Sequence, residues 1–167
     1  GIWSEHEVLA AHRFGLRLEH DAAIEELATE AAARGFDREG REDFTGWWSL
    51  TIDDADSTDI DDGLSIRPTL DGGWEVAVHI ADPDAFVPAH SELDRDAQRR
   101  GESIYFPDRV VGMFPAVLSE QMSLLADLER PALTTHVIFD QDLDIEEFRI
   151  VPSVVRMNRR LSYDEAD

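Results

Sequence analysis

TIDDADSTDIDDGL, residues 51–64, places six aspartates within ten positions: Asp53, Asp54, Asp56, Asp59, Asp61 and Asp62. Two carboxylates about 4 Å apart repel by roughly 4 kcal/mol at an effective dielectric near 20, so several held in one ordered site need a counter-charge. A divalent cation supplies it, and hard oxygen ligands on short side chains suit Mg²⁺ or Mn²⁺ better than zinc, which prefers nitrogen and sulfur. The alternative reading is a solvated acidic loop. Against it, Ile60 and Leu64 interleave the aspartates, and Trp48, Leu50 and Ile52 alternate with Ser49, Thr51 and Asp53 as in a strand that buries its apolar side. A helix-loop-helix calcium site fails on spacing. With Gly63 at that motif's glycine, its first and third ligand positions fall on Thr58 and Ile60.

Outward from the acidic stretch, strands are predicted over Ser49–Asp53, Gly63–Pro68 and Trp74–Ala81, the last two joined by a turn at Asp71-Gly72-Gly73. Before them, helical spacing predicts Glu5–Phe14, ended by Gly15, and Asp21–Arg34, with Gly35 as its C-cap. Residues 37–46, rich in charge and glycine, read as a linker, which divides the chain into a helical segment with linker, 1–46, and a second part, 47–167. Further on, Ser91–Arg100 and Leu118–Leu128 are predicted helices, separated by an irregular break over Tyr105–Pro115. Leu133–Phe139 and Phe148–Met157 are predicted strands, and Ser162 with Glu165 offers a capping box where a last helix begins. Trp47 and Trp48 are expected in the core.

The chain has 167 residues and 43% hydrophobic content, enough to bury a real core. It has no cysteine, which removes disulfides and thiolate metal sites, and no apolar run long enough to span a membrane, so a soluble, cytoplasmic protein is expected. The net charge is −22, with every basic residue an arginine. Nucleic-acid binders usually carry a basic face, because neutralised phosphates release counterions. Any RNA or DNA contact is therefore expected to be local, made through metals and a few arginines, or to depend on parts of the protein outside this chain.

TIDDADSTDIDDGL resembles the signature of the ribonuclease II (RNB) family of 3′-to-5′ exoribonucleases. The likeness continues in order through VHIADPDAFV, SELDRDAQRRGESIYFPDRVVGMFPAVLSEQMSLL and RMNRRLSYDEA, from about Thr51 to Glu165. With the helical lead-in read from spacing, it implies an α+β fold in which a mixed, largely antiparallel sheet with packed helices forms the N-terminal part of an RNB-type catalytic domain. It also implies that Asp53, Asp59, Asp61 and Asp62 bind one or two Mg²⁺ at the scissile phosphate, with Mn²⁺ able to substitute. Asp61 matches the residue most directly tied to hydrolysis. Asp54 and Asp56 fall where the family varies and read as solvated.

By the same resemblance, Tyr105 stacks on the nucleotide at the RNA 3′ end, and Arg109 is a weak candidate for a phosphate contact. Taken alone, Tyr105 beside Phe106 and Pro107 reads as core packing, and Arg109 reads equally as a salt-bridge partner. His79 and Asp82 are open between orienting metal ligands and serving as a satisfied core histidine and a turn cap. Arg156, Arg159 and Arg160 are open between an RNA path and a solvated strand end. The family's further Glu, Arg and aromatic are expected after Asp167. The implied activity is metal-dependent hydrolysis of single-stranded RNA, not DNA, to nucleoside 5′-monophosphates. A catalytically inactive RNB-derived RNA-binding or regulatory protein is the alternative, and the oligomeric state is open.

Overall fold

The computed structural model describes residues 5–106 and 109–167, and they fall into two compact units. The first comprises residues 1–34 and 87–119. Helix α1 (Glu5–Phe14) and helix α2 (Ala22–Arg34) lie where their spacing predicts, each followed by a glycine at positive φ, Gly15 and Gly35. Ile24, Ala28 and Ala31 form the buried stripe of α2, at the i, i+4, i+7 spacing of one helix face.

Helix α3 (Glu92–Arg100) is capped by Ser91, whose hydroxyl accepts from the Asp94 N–H at 3.2 Å. It buries Asp96 to 2% exposure. That carboxylate accepts from Arg100 at 2.9 Å and Arg99 at 3.2 Å, and lies 3.1 Å from His20 Nδ1. Arg100 also donates to the carbonyls of Arg17 and Glu19, at 2.9 and 2.6 Å, and so ties α3 to the α1–α2 connection. The expected break at 105–115 is in part a hairpin of β5 (Ile104–Phe106) and β6 (Arg109–Val111). Helix α4 (Ala116–Met122) is shorter than the predicted Leu118–Leu128. It stops because the next segment is drawn into extended contacts: the Leu124 N–H donates to the Ile60 carbonyl at 2.7 Å, and Ala126 bridges Met157.

The second unit comprises residues 35–86 and 120–167. Its strands are β1 (Glu42–Asp43), β2 (Ser49–Asp53), β3 (Asp62–Pro68), β4 (Trp74–Ala81), β7 (Glu129–Phe139), β8 (Ile145–Arg156) and β9 (Arg159–Ser162). They make one seven-stranded sheet in the order β1-β8-β7-β4-β3-β2-β9. The central pairs are antiparallel, while β1 and β9 join at the two edges in parallel. With α5 (Tyr163–Ala166) at the end, capped by Ser162 in a full capping box, the class is α+β as expected. No helix among the described residues is long and apolar enough to cross a membrane.

One sheet face carries the core: Ala77, Ala132, Val155 and Met157, under Phe44, Ile60 and Leu124. Phe44 belongs to the stretch expected as a linker. That stretch instead supplies β1, which pairs with Ser153 and Val154, and a ring that is 1% exposed. Across the same face runs a buried polar row. His79 Nε2 lies 2.7 Å from Ser65 Oγ, His79 Nδ1 lies 2.7 Å from Thr134 Oγ1, and Thr134 Oγ1 lies 2.5 Å from Ser153 Oγ. Burial, aided by the nearby His136, pushes the His79 imidazole down to about 4, so it is neutral at pH 7. His79 is the satisfied core histidine. Asp82 is not a turn cap, since its side chain makes no cap bond and instead accepts from Arg41 at 2.7 Å.

The alternation in β2 marks a strand, but the buried side is the reverse of the one expected. Ser49 and Thr51 are each 1% exposed, Leu50 and Ile52 are half-buried, and Trp48 is 55% exposed and outside the core. The Ser49 hydroxyl donates to the Arg156 carbonyl at 2.9 Å, and the Ser49 N–H donates to Asn158 Oδ1 at 2.8 Å. A satisfied polar side chain can be buried at little cost. The opposite face, with Leu64, Ile80, Leu133 and Ile150, is 41 to 59% exposed at those positions. Trp47 does pack against the core.

Candidate active site

Four of the aspartates singled out from sequence lie at or between the ends of β2 and β3, within the second unit. Asp53 is the last residue of β2 and Asp62 the first of β3. Between them, Ile60 is 1% exposed and acts as an anchor, its carbonyl accepting from Leu124 and its N–H lying 3.4 Å from Ser123 Oγ. The Asp61 carbonyl accepts from the Ala81 N–H at 2.8 Å. Asp59 and Asp61 therefore flank a residue sunk in the core, on backbone that is itself hydrogen-bonded. Asp54 and Asp56 are exposed, in keeping with the solvated reading. Leu64, expected to pack, is 41% exposed.

The electrostatics couple the four carboxylates. Burial raises the Asp53 carboxyl above the usual carboxylate range, and Asp62 and Asp61 add to that, with Thr51 and Arg160 opposing. Burial likewise raises Asp59, with Asp61 adding to it. The Thr51 hydroxyl is near Asp53, yet no bond of ordinary geometry joins them. Thr51 Oγ1 and Asp53 Oδ2 are both buried without a hydrogen-bond partner. A buried carboxylate oxygen without a well-formed donor, next to other negative charges, is costly to leave uncompensated. The donor set, all oxygen and rich in charge, fits a hard divalent ion. Among the described residues, no three acidic or histidine side chains are grouped closely enough to hold a metal.

Beside the loop, a cleft of about 400 Å³ is lined by Leu50, Ile52, Asp62, Leu64 and Tyr163. Tyr163, 59% exposed, was legible in sequence only as the residue after a capping serine. Arg160 was one of three grouped arginines, and its place near Asp53 comes from β9 pairing in parallel with β2, which no sequence pattern announces. Tyr105 and Arg109 lie on the β5–β6 hairpin of the first unit. Tyr105 is 68% exposed, so the core-packing reading fails. Arg109 is half-buried and sits opposite Phe106 in the hairpin.

A family model described as the RNB domain matches residues 41–167. An uncharacterized ribonuclease of Synechocystis is 35% identical over the whole of this chain, which spans 26% of that protein. Exoribonuclease 2 of Aeromonas hydrophila is 41% identical over 75% of the chain, or 19% of its own length. Among solved structures, Mycoplasma genitalium RNase R in complex with ribose-methylated single-stranded RNA superposes with a TM-score of 0.81 at 28% identity. That match covers 91% of this chain and 24% of the RNase R chain. The chain thus spans about a quarter or less of the relatives it matches.

Proposed function

The chain belongs to the RNB domain family, and from that premise we propose that the full protein is a hydrolytic 3′-to-5′ exoribonuclease. In this reading it degrades single-stranded RNA to nucleoside 5′-monophosphates, with Mg²⁺, or Mn²⁺ in its place, held by Asp53, Asp59, Asp61 and Asp62. The observation that carries the reading is the coupled quartet on one anchored loop, with Asp53 Oδ2 buried and unpartnered. When bound there, the cation supplies the Lewis acidity that activates water and stabilises the leaving 3′ oxygen of an in-line displacement.

The protein's own contribution is placement. Ile60, seated in the core, fixes its neighbours, half-buried Asp59 and exposed Asp61, and the β3–β4 pairing holds Asp62 beside them. Asp61 interacts with both Asp53 and Asp59 and is the central member. In this reading Tyr105, 68% exposed, stacks on a base of any identity, as degradation of every sequence requires.

The test is hydrolysis of 3′-exposed, 5′-labelled single-stranded RNA by the full-length protein. A ladder shortening from the 3′ end, release of 5′-monophosphates, arrest by EDTA, and sparing of matched DNA are expected, the 2′-OH being the group that separates the two nucleic acids. Internal cleavage, or equal degradation of DNA, would overturn the reading. A second expectation concerns Tyr105→Ala. Loss of stacking, worth roughly 1 to 3 kcal/mol per base, loosens the last nucleotides and lengthens the end product while hydrolysis of long RNA continues. An unchanged end product would remove Tyr105 from the RNA path.

A further inference from the structure

Arg160 spends its donors on the backbone of the acidic loop. In the parallel pairing of β9 with β2, Arg160 sits opposite Thr51, and Ser162 sits opposite Asp53. The strand that carries Arg160 is therefore fastened to the strand that delivers Asp53. From that base, Arg160 Nη2 donates to the Asp54 carbonyl at 2.7 Å and the Ser57 carbonyl at 2.9 Å, with the Ala55 carbonyl at 3.4 Å. The loop closes its own turn at the same place, where the Ser57 N–H donates to the Asp54 carbonyl at 3.0 Å.

Three carbonyl oxygens converging on one side of a short turn repel one another unless a cation faces them, and a guanidinium N–H₂ offers two donors and a positive charge in fixed geometry. The choice of acceptor is informative. With 37 acidic residues and 15 basic ones, carboxylates are abundant partners, yet these hydrogen bonds go to carbonyls. The clamped residues, Asp54 to Ser57, are the whole connection between Asp53 and Asp59 except for Thr58. The guanidinium charge also acts on Asp53 itself.

We propose that Arg160 is a positioning residue for the metal site: it locks the turn Asp54–Ser57 so that Asp53 and Asp59 are presented together to the cation. The proposal rests on the reading of the quartet as a metal site. In the protein without Arg160, the connection must be ordered by the metal, which weakens metal binding while leaving the chemistry at saturation largely intact. Groups that orient metal ligands from outside the ligand set typically change metal affinity by about 10- to 100-fold when replaced.

The experiment uses full-length Arg160→Gln, Arg160→Lys and Asp61→Asn proteins. Mn²⁺ dissociation constants are read by electron paramagnetic resonance without RNA, alongside hydrolysis as a function of Mg²⁺ and of RNA. Arg160→Gln is expected to weaken Mn²⁺ binding about 10-fold or more. Its rate at saturating Mg²⁺ should return to within a few-fold of wild type with the KM for RNA unchanged. Arg160→Lys, which keeps a charge and rotatable donors, should recover part of the Mn²⁺ affinity and remains readable if the Gln variant does not fold. Wild-type Mn²⁺ affinity in both Arg160 variants overturns the proposal, as does a raised KM for RNA at unchanged Mn²⁺ affinity, which would make Arg160 an RNA contact. Asp61→Asn separates the two levels. If it too binds Mn²⁺ like wild type, the metal reading itself fails; if it alone weakens binding, only the role of Arg160 does.

Discussion

Asp61→Asn in the full-length protein lowers RNA hydrolysis by about 10²- to 10³-fold, the scale on which loss of one preorganised electrostatic group at a reacting centre acts, and leaves RNA binding nearly intact. Asparagine has the shape of aspartate, and the backbone at this position is held by the Ala81 N–H to the Asp61 carbonyl, a bond the substitution does not touch. Only the charge is lost. In the absence of metal that loss relieves the repulsion felt by Asp53 and Asp59, so the thermal midpoint should hold or rise. A variant that turns over RNA at a near-normal rate in Mg²⁺ sinks the assignment of Asp61. One that loses activity together with thermal stability points to misfolding instead.

The second large effect is on stability. Asp96→Asn should destabilise the first unit by about 3 kcal/mol, the lower end of the range for breaking a buried ion pair. The lower end applies because Arg100, left without its carboxylate, keeps the carbonyls of Arg17 and Glu19. Burial alone would raise the Asp96 carboxyl, but hydrogen bonds from Arg100, Arg99 and His20 outweigh it and bring it down to about 2. A carboxyl whose pKa falls on folding adds stability above its unfolded value, near 3.8, and loses it as pH drops through the folded value. The gap between wild type and Asp96→Asn in urea denaturation should thus be full at pH 5 and above and shrink between pH 4 and pH 2. A gap that is constant with pH would assign the effect to packing.

Sequence by itself located the acidic loop and its anchor: six aspartates fall in ten positions around Ile60, which distinguishes a built loop from an acidic tail, and the structure places that side chain at 1% exposure. The helices of the first unit, the strands on both sides of the loop and the cap at Ser162 were legible because their signals are local: turn glycines, capping pairs and the periods of helix and strand. Tertiary structure decided what depends on partners distant in sequence. Period-two alternation in β2 identifies a strand but is symmetric between its faces, and Ser49 can take the buried side because Arg156 and Asn158, more than a hundred residues away, satisfy it. The same dependence made Phe44 of the supposed linker a core residue, through the pairing of β1 with β8, and left Trp48 exposed. It also gave Arg160 its place, since a parallel edge pairing of β9 with β2 leaves no trace in either strand's own pattern, and only that pairing brings a guanidinium to the carbonyls of the acidic loop.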